Sequence, residues 1–442
     1  MNQKVKSFFI LAVIFLINTG YIYSQMKIGV ALPMMKSSQN EDDKILAQQM
    51  LTGINKALQE FNNANPANKI EIITEDTKRD QAEVLRIFDK LGSDDKVIAI
   101  LGPVFSSELV NNAGAALFHK IPIITPTSTQ SFLAEKNPYL FQLNPTYDIR
   151  GRIMADFACE ELRMKNFVIF SEEAYGNNFA QSFTDQVIKD SGNIIAIKYY
   201  SKDKTELTEE LEELRSKIFE KDKFIDFGSL SKDQLDKLSK MKFRFSNTDS
   251  LVSQRLIVSI YKIFGKNADR IIDSAGLTSM VIRADDFSKK YIPGYVDAVY
   301  IPVSNAYEIT KVLPQFYAAG INLPVLGSSD WNNSVVLDEN AAYIDKLYFD
   351  SDFHITDKSA EDYSKSDPEL KNYYFGYDAM KLILSKIAEG NNTRETLNTS
   401  LEKVSGYKAV HCNFTIRERT NHQMSIMTYR NGNIEKLKDF VY

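Results

Sequence analysis

Cysteine, histidine and tryptophan are scarce in this chain, with two Cys, four His and one Trp among 442 residues. Cys159 and Cys412 stand on distant segments, so no disulfide framework organises the fold. Two separate buried thiols is the plainer reading, with a single pairing as the alternative. His119, His354, His411 and His422 have no neighbouring ligand at metal spacing, so no metal site is called. A G-x-S-x-G elbow, a phosphate-binding P-loop and a G-x-G-x-x-G turn are all missing. No cofactor and no enzymatic activity are expected on this reading. Two-carboxylate catalysis depends on pairing in three dimensions, and a strand-end acid such as Asp76 serves equally well as a cap or turn residue.

Excess positive charge is missing as well. Lys and Arg number 53 against 58 Asp and Glu, a net charge of −5, which leaves no basic footprint for a nucleic-acid partner. The apolar run FFILAVIFLI, Phe8 to Ile17, falls short of the roughly 20 residues that a membrane-spanning helix needs. Lys4 and Lys6 precede it, and a short polar stretch reaches Tyr23-Ser24-Gln25, the pattern of a secretory signal peptide over residues 1–24. An uncleaved anchor is the alternative. Removing 1–24 takes away Lys4 and Lys6 and no acid, moving the net charge from −5 to −7. With no cysteine beside the cut to carry a lipid, a periplasmic or secreted protein is expected.

Hydrophobic residues at 44% and charged residues at 25% provide enough apolar side chain for substantial cores. Strand and helix patterns alternate from Met26. KIGVAL, Lys27 to Leu32, reads as a strand, and Ile45, Leu46, Met50, Ile54, Ala57, Leu58 and Phe61 then recur at helical spacing. IEIIT, VIAIL and IPIIT are further strands, with a helix over Val84, Leu85, Ile87, Phe88 and Leu91 after the first of them. Parallel strands need such crossover helices, so the pattern predicts an α/β fold with a doubly wound parallel sheet. A second unit begins after FQLNPTYDIRGR, with Leu143 to Arg150 as a candidate hinge. Two lobes with a cleft between them are expected. The N-terminal lobe is assigned to 26–146 and 352–415, and the C-terminal lobe to 147–351 and 416–442. An insertion at about 201–290 breaks the rhythm with a strongly charged helix. Near the end, Asn431-Gly432 is a hairpin signal.

The stretch VIAILGPVFSSELV, followed by IPIITPTST, places two hydroxyl-rich loops at the ends of adjacent strands. Ligands of parallel sheets sit in the crevice at those carboxyl ends. Ser106, Ser107, Thr125, Thr127, Ser128 and Thr129 would share one mouth, each loop opening a helix whose free amides suit a carboxylate. Helix capping and plain turns are the blander alternatives for these residues.

KIGVALP, ILGPVFSSE, IPIITPTSTQ, FQLNP, MADFACEEL with FVIFSEEAYG, and DAVYIP with FYAAGINLPVLGSSDW, in this order, resemble the type I periplasmic binding proteins. The resemblance is to their branched-chain amino-acid (leucine/isoleucine/valine) binding group, which serves ABC transporters. It implies a two-lobed receptor for an amino acid or related carboxylate, with an ABC permease as partner. It puts Ser106, Ser107, Thr127, Ser128 and Thr129 on the ligand's carboxylate. Tyr175 would cover the ligand from the second lobe, and Asp330 would meet its ammonium, with Glu172 or Glu173 as a substitute for Asp330. The same fold in lipoprotein activators of penicillin-binding proteins offers an alternative, an envelope-protein partner docking on the lobes or on the insertion. That insertion would then either cover the cleft or present the docking surface.

Overall fold

The computed structural model describes residues 25–35, 40–110, 112–241, 251, 254–286, 289–355 and 368–442. The expected signal segment 1–24 lies outside the described residues.

The first sheet is built from β1 (Lys27–Leu32), β2 (Glu71–Asp76), β3 (Ala99–Leu101), β4 (Ile123–Thr125) and β5 (Leu140–Gln142). The second opens with β6 (Asn166–Glu172) and β7 (Asn193–Tyr200). A small sheet follows, of β8 (Phe224–Asp226), β9 (Ile257–Ser259), β10 (Val281–Ile282) and β11 (Tyr291–Ile292). Then β12 (Ala298–Ile301), β13 (Val325–Gly327) and β14 (Leu347–Ser351) return to the second sheet. The chain ends with β15 (Ile416–Arg417), β16 (Thr420–Asn421), β17 (Gln423–Arg430) and β18 (Asn433–Val441). The orders are β15-β16-β5-β4-β3-β1-β2 and β18-β17-β14-β13-β12-β6-β7 for the large sheets, and β10-β8-β9-β11 for the small one. Strands β1 to β5 pair in parallel, as do β6, β7, β12, β13 and β14, in agreement with the predicted α/β architecture.

Helices on both faces bury the apolar strands. The helix Glu41–Ala64 sets Met50, Ile54 and Ala57 in the first core, although Ile45, at helical spacing with them, is half exposed, as is Leu85 of the next helix. The aromatic-rich helix Pro368–Ala388 crosses back to pack on Glu41–Ala64. Glycines make that contact close: a Cβ on Gly53 would lie 2.0 Å from the Tyr373 carbonyl oxygen, and one on Gly376 would lie 2.3 Å from that of Met50. Cys412 belongs to this core and Cys159 to the second, so the two thiols are buried separately.

The chain passes between the large sheets after β5, after β14 and after β16. The last return was expected at residue 416. It comes after Asn421, because β15 and β16 pair with each other and Thr420 pairs with Gln142 of β5. Asn431 and Gly432, at φ +52° and +76°, form the two-residue turn that joins β17 to β18 with Arg430 opposite Asn433.

The insertion is shorter than the expected 201–290. The charged helix Thr208–Glu220 buries Leu211, Leu214 and Ile218 against the second sheet and is part of that layer. The separate sheet starts at β8 and holds its own core, including Ile225, Phe227, Val258, Ile263 and Leu277. The buried Asp222 clasps its base. Oδ1 accepts the Ser259 hydroxyl at 2.5 Å, and Oδ2 accepts the amides of Gly294 and Tyr295 at 2.8 and 3.1 Å. This small sheet stands against residues such as Lys165, Asp297, Pro324 and Lys346, which immediately precede β6, β12, β13 and β14. It therefore lies at the amino ends of the second sheet, opposite the carboxyl ends where the cleft is expected, and it does not cover that position.

Candidate functional site

Strands β3 and β4 are parallel neighbours, with Ile100 beside Ile123 and Leu101 beside Ile124, so the loops that follow them emerge together. The Ser106 and Ser128 hydroxyl oxygens lie 2.8 Å apart. Ser106 Oγ also accepts the amides of Thr129 and Gln130 at 3.2 and 3.1 Å. The Thr127 hydroxyl donates to the Val104 carbonyl at 2.8 Å, and the buried Thr125 Oγ1 accepts the Ser128 amide at 3.3 Å. Gln142 Nε2, at the end of β5, donates to the carbonyls of Ser128 and Gln130 at 3.2 and 3.0 Å.

Two details differ from the sequence reading. The first loop opens only one helical turn, Ser106–Leu109, whose N-cap is Phe105, so Ser106 is not a cap. The second loop opens no helix. The chain turns over 131–136 and runs directly into β5, and the Thr129 and Gln130 amides are already taken by Ser106. An anion held at the second loop would therefore meet hydroxyls rather than a helix terminus or these two amides. Ser106, Thr127 and Ser128 use their side chains to tie the loops together. Ser107 is exposed and Thr129 half-buried, and neither side chain is hydrogen-bonded among the described residues, so these two hydroxyls are available.

On the other side, β6 runs into the helix Glu173–Lys189, which places Tyr175 in its first turn. The Tyr175 ring packs on Tyr147 and Phe179, at centroid distances of 5.5 and 5.2 Å. Its hydroxyl donates to Asp330 Oδ2 at 3.2 Å, so the two second-lobe residues named from sequence do meet. Asp330 sits in the turn Ser329–Trp331 after β13. Burial raises the proton affinity of Asp330, with Lys371 pulling the other way, and burial also pushes the Tyr175 phenol well above its ordinary value. The Tyr147 amide donates to the Thr129 carbonyl at 3.0 Å. A continuous path of contacts thus runs from Thr129 through Tyr147 and Tyr175 to Asp330. Of the named substitutes, Glu172 is buried and accepts the Ser304 hydroxyl at 2.6 Å, while Glu173 is exposed. Asp76 accepts the amides of Met35 and Lys78, as a turn residue does.

Beneath this path lies a charged cluster that the sequence reading missed. Arg150, 4% exposed, donates to Ser329 Oγ at 2.6 Å, Asn144 Oδ1 at 2.7 Å, Asp352 Oδ2 at 3.0 Å and the Pro145 carbonyl at 2.9 Å. Lys371, on the helix Pro368–Ala388, reaches Asp352 Oδ1 at 2.9 Å. Ser329 Oγ also donates to Asp350 Oδ1 at 2.5 Å, and Asp350 Oδ2 has no hydrogen-bond partner among the described residues. Burial raises the Asp350 pKa to about 7 against the pull of Arg150. Burial acts the same way on Asp352, but Lys371 and Arg150 reverse it and hold that carboxyl well below the usual carboxylate range. The only sequence signal for this cluster was the placing of a hinge at Leu143 to Arg150. Among the described residues no group of three or more His, Cys, Asp or Glu is set to hold a metal. His411 is instead buried against Asp378, at 2.5 Å, among Phe353, Phe375 and Phe414. The arrangement suits binding: hydroxyls on one side, and an aromatic ring with a carboxyl on the other.

Residues 25–217 match the sequence model of the family described as periplasmic binding protein. An uncharacterized protein of Methanocaldococcus jannaschii is 30% identical over 134 residues, 29% of this chain, and the match spans about a third (32%) of that relative's length. Among solved structures, a putative branched-chain amino acid ABC transporter protein from Rhodospirillum rubrum superposes with a TM-score of 0.65 at 15% identity, over 93% of this chain and 99% of that one. The substrate-binding protein LivJ of Streptococcus pneumoniae, in complex with isoleucine, gives 0.53 at 19% identity over 95% and 99%. A solute-binding protein of R. palustris in complex with 4-hydroxybenzoate gives 0.56 at 12% identity over 94% and 97%. The two seven-stranded sheets, the order of their strands and these matches place the chain on the type I periplasmic-binding-protein fold, with that family's sequence pattern over residues 25–217.

Proposed function

We propose that this protein is an exported solute receptor that clamps a small carboxylate-bearing ligand, an amino acid or a relative of one, between its two lobes. The path from Thr129 through Tyr147 and Tyr175 to Asp330 carries the reading, because it joins the hydroxyl loops of one sheet to the acid and ring of the other. Isoleucine and 4-hydroxybenzoate, the ligands of two proteins of this fold, share a carboxylate and differ in the ammonium. The hydroxyls of Ser107 and Thr129 would take the shared group, with Ser106, Thr127 and Ser128 fixing the loops. Tyr175 would close over the ligand and Asp330 would select for an ammonium. The two lobes would be the units built on the two large sheets, with the hinge at the three passages between them. A closed, loaded form is what an ABC permease outside the cytoplasm would recognise. The reading is of binding without catalysis.

A thermal-shift screen of amino acids and aromatic carboxylates tests it. A ligand at a hundredfold excess over its Kd adds about 2.7 kcal/mol, a rise in Tm of several degrees. Ser107→Ala with Thr129→Ala should abolish the shift, and Asp330→Asn should abolish it for amino acids only. Shifts that ignore the double change would overturn the assignment, as would a screen in which nothing stabilises.

A further inference from the structure

A cavity of about 930 Å3 lies between the small inserted sheet and the amino-terminal edge of the second large sheet. Sites of this fold are expected at carboxyl ends, so this cavity has no part in the cleft reading. One wall is the sheet edge, with Lys165, Asp297, Pro324 and Lys346. The other comes from the insert and the segment leaving it, with Tyr261, Lys262, Lys266 and Tyr295.

The charges in this lining do not balance. Five cations, Arg163, Lys165, Lys262, Lys266 and Lys346, face two acids, Asp297 and Asp345. Asp297 Oδ2 is committed to the amides of Lys165 and Asn166, at 2.7 and 2.9 Å. The Lys165 ammonium donates to the Asp190 carbonyl at 2.5 Å, and Arg163 reaches Glu160 at 3.4 Å. Lys262, Lys266 and Lys346 make no ion pair among the described residues. Lys266 and Lys346 are exposed at the rim, while Lys262 is half-buried. Burial holds the Lys262 ammonium below the ordinary lysine value; Asp345 and Asp222 oppose this, and Lys346 adds to it. An enclosed cation beside a second cation gains from an anion that both can share.

The remaining surface suits an organic molecule better than a bare ion. Tyr261 and Tyr295 meet edge to face at 5.3 Å, and the Tyr261 hydroxyl is anchored on Asp269 at 2.8 Å. Pro293 and Pro324 add apolar surface. The volume lies in the range of roughly 300–1,000 Å3 that holds small organic ligands.

We propose that this cavity is a second binding site, taking an organic polyanion whose charges are met by Lys262, Lys266 and Lys346. The polyanion is carboxylate- or phosphate-based; both present clustered negative oxygens on an organic frame. The site rests on the insert and not on the cleft, so it stands or falls independently of the receptor reading.

Isothermal titration of the purified protein at neutral pH and low salt, with citrate and with metal-free ATP, tests it. At least one of the two is expected to bind one-to-one with a Kd below ~1 mM, and the tighter one identifies the source chemistry. Binding should weaken with added salt, and acetate should not compete. Lys262→Gln with Lys346→Gln should weaken it about tenfold or more. Lys266→Gln with Lys346→Gln, confined to exposed side chains that leave the fold intact, should also weaken it. Amino-acid thermal shifts from the cleft should be unchanged in both variants. Absence of saturation by either polyanion, or equal affinity in the lysine variants, overturns the proposal.

Discussion

Replacing Asp350 by Asn isolates a single buried proton. Asp350 is fully enclosed, its Oδ1 accepts the Ser329 hydroxyl, and its Oδ2 has no hydrogen-bond partner among the described residues. Burial raises its pKa from 3.8 to about 7 despite Arg150. A carboxyl with a folded pKa above its unfolded one binds more protons when folded, over the interval between the two. Stability from this group is therefore present at low pH and is lost as pH rises from about 4 to about 7. At about 1.4 kcal/mol per pH unit, this interval of roughly three units limits the loss to about 4 kcal/mol. Asn is never charged, and its amide oxygen keeps the Ser329 bond. Asp350→Asn should thus match the wild type near pH 4 and exceed it by about 2–4 kcal/mol near pH 8. Urea unfolding at a series of pH values reads this directly. Trp331, the single tryptophan, is fully buried in the second lobe and serves as the fluorescent probe. Groups such as His422, whose proton affinity burial lowers, titrate alike in both proteins, so the difference curve is the observable. Parallel curves from pH 4 to 8, or a difference that grows toward low pH, would refute the reasoning.

Arg150→Met leaves Asp352 with Lys371 as its one cation among the described residues and leaves the Ser329 and Asn144 oxygens without this donor. A loss of about 3 kcal/mol is expected in calorimetry, the low end for breaking a buried pair, and a loss below about 1 kcal/mol would show the cluster to be solvated. Gly432→Ala forces a Cβ onto a residue at φ +76°, where it would meet only the Asp338 carboxylate at an ordinary 3.9 Å, so its cost of about 1 kcal/mol is conformational rather than steric. Gly114→Ala, in a helix, with open space and no positive φ, should be neutral or slightly stabilising, and equal urea midpoints for the two glycine variants would contradict the backbone argument.

The parts of the fold governed by local rules were legible in the sequence. Alternating strand and helix periods marked both large sheets, and Asn431-Gly432 marked the last hairpin because few residue pairs adopt two positive φ angles at low cost. Ser106 and Ser128 were found together because adjacent parallel strands carry their loops to one place. Tyr175 and Asp330 came from the family resemblance, and the hydrogen bond between them could not be read from a separation of 155 positions. Arg150, Asp350, Asp352 and Lys371 were missed for a related reason. Each resembles an ordinary surface charge in its own segment, and only the passages between lobes bury them together. The supposed helix after Thr129 failed because the short span to β5 leaves room only for turns. The charged helix Thr208–Glu220 was taken into the insertion on composition, although Leu211, Leu214 and Ile218 place it on the second sheet.

Asp222 has a mechanical consequence. By holding Ser259 and the Gly294 and Tyr295 amides at once, it makes the inserted sheet a closed loop rooted on the second lobe. In the proposed closure about the passages between lobes, both walls of the neighbouring cavity would therefore travel as one body. A molecule held there rides as a passenger, sensing neither an open nor a closed cleft. For its occupancy to influence cleft closure, strain would have to run lengthwise through β6, β12 and β14, from their amino ends to their carboxyl ends.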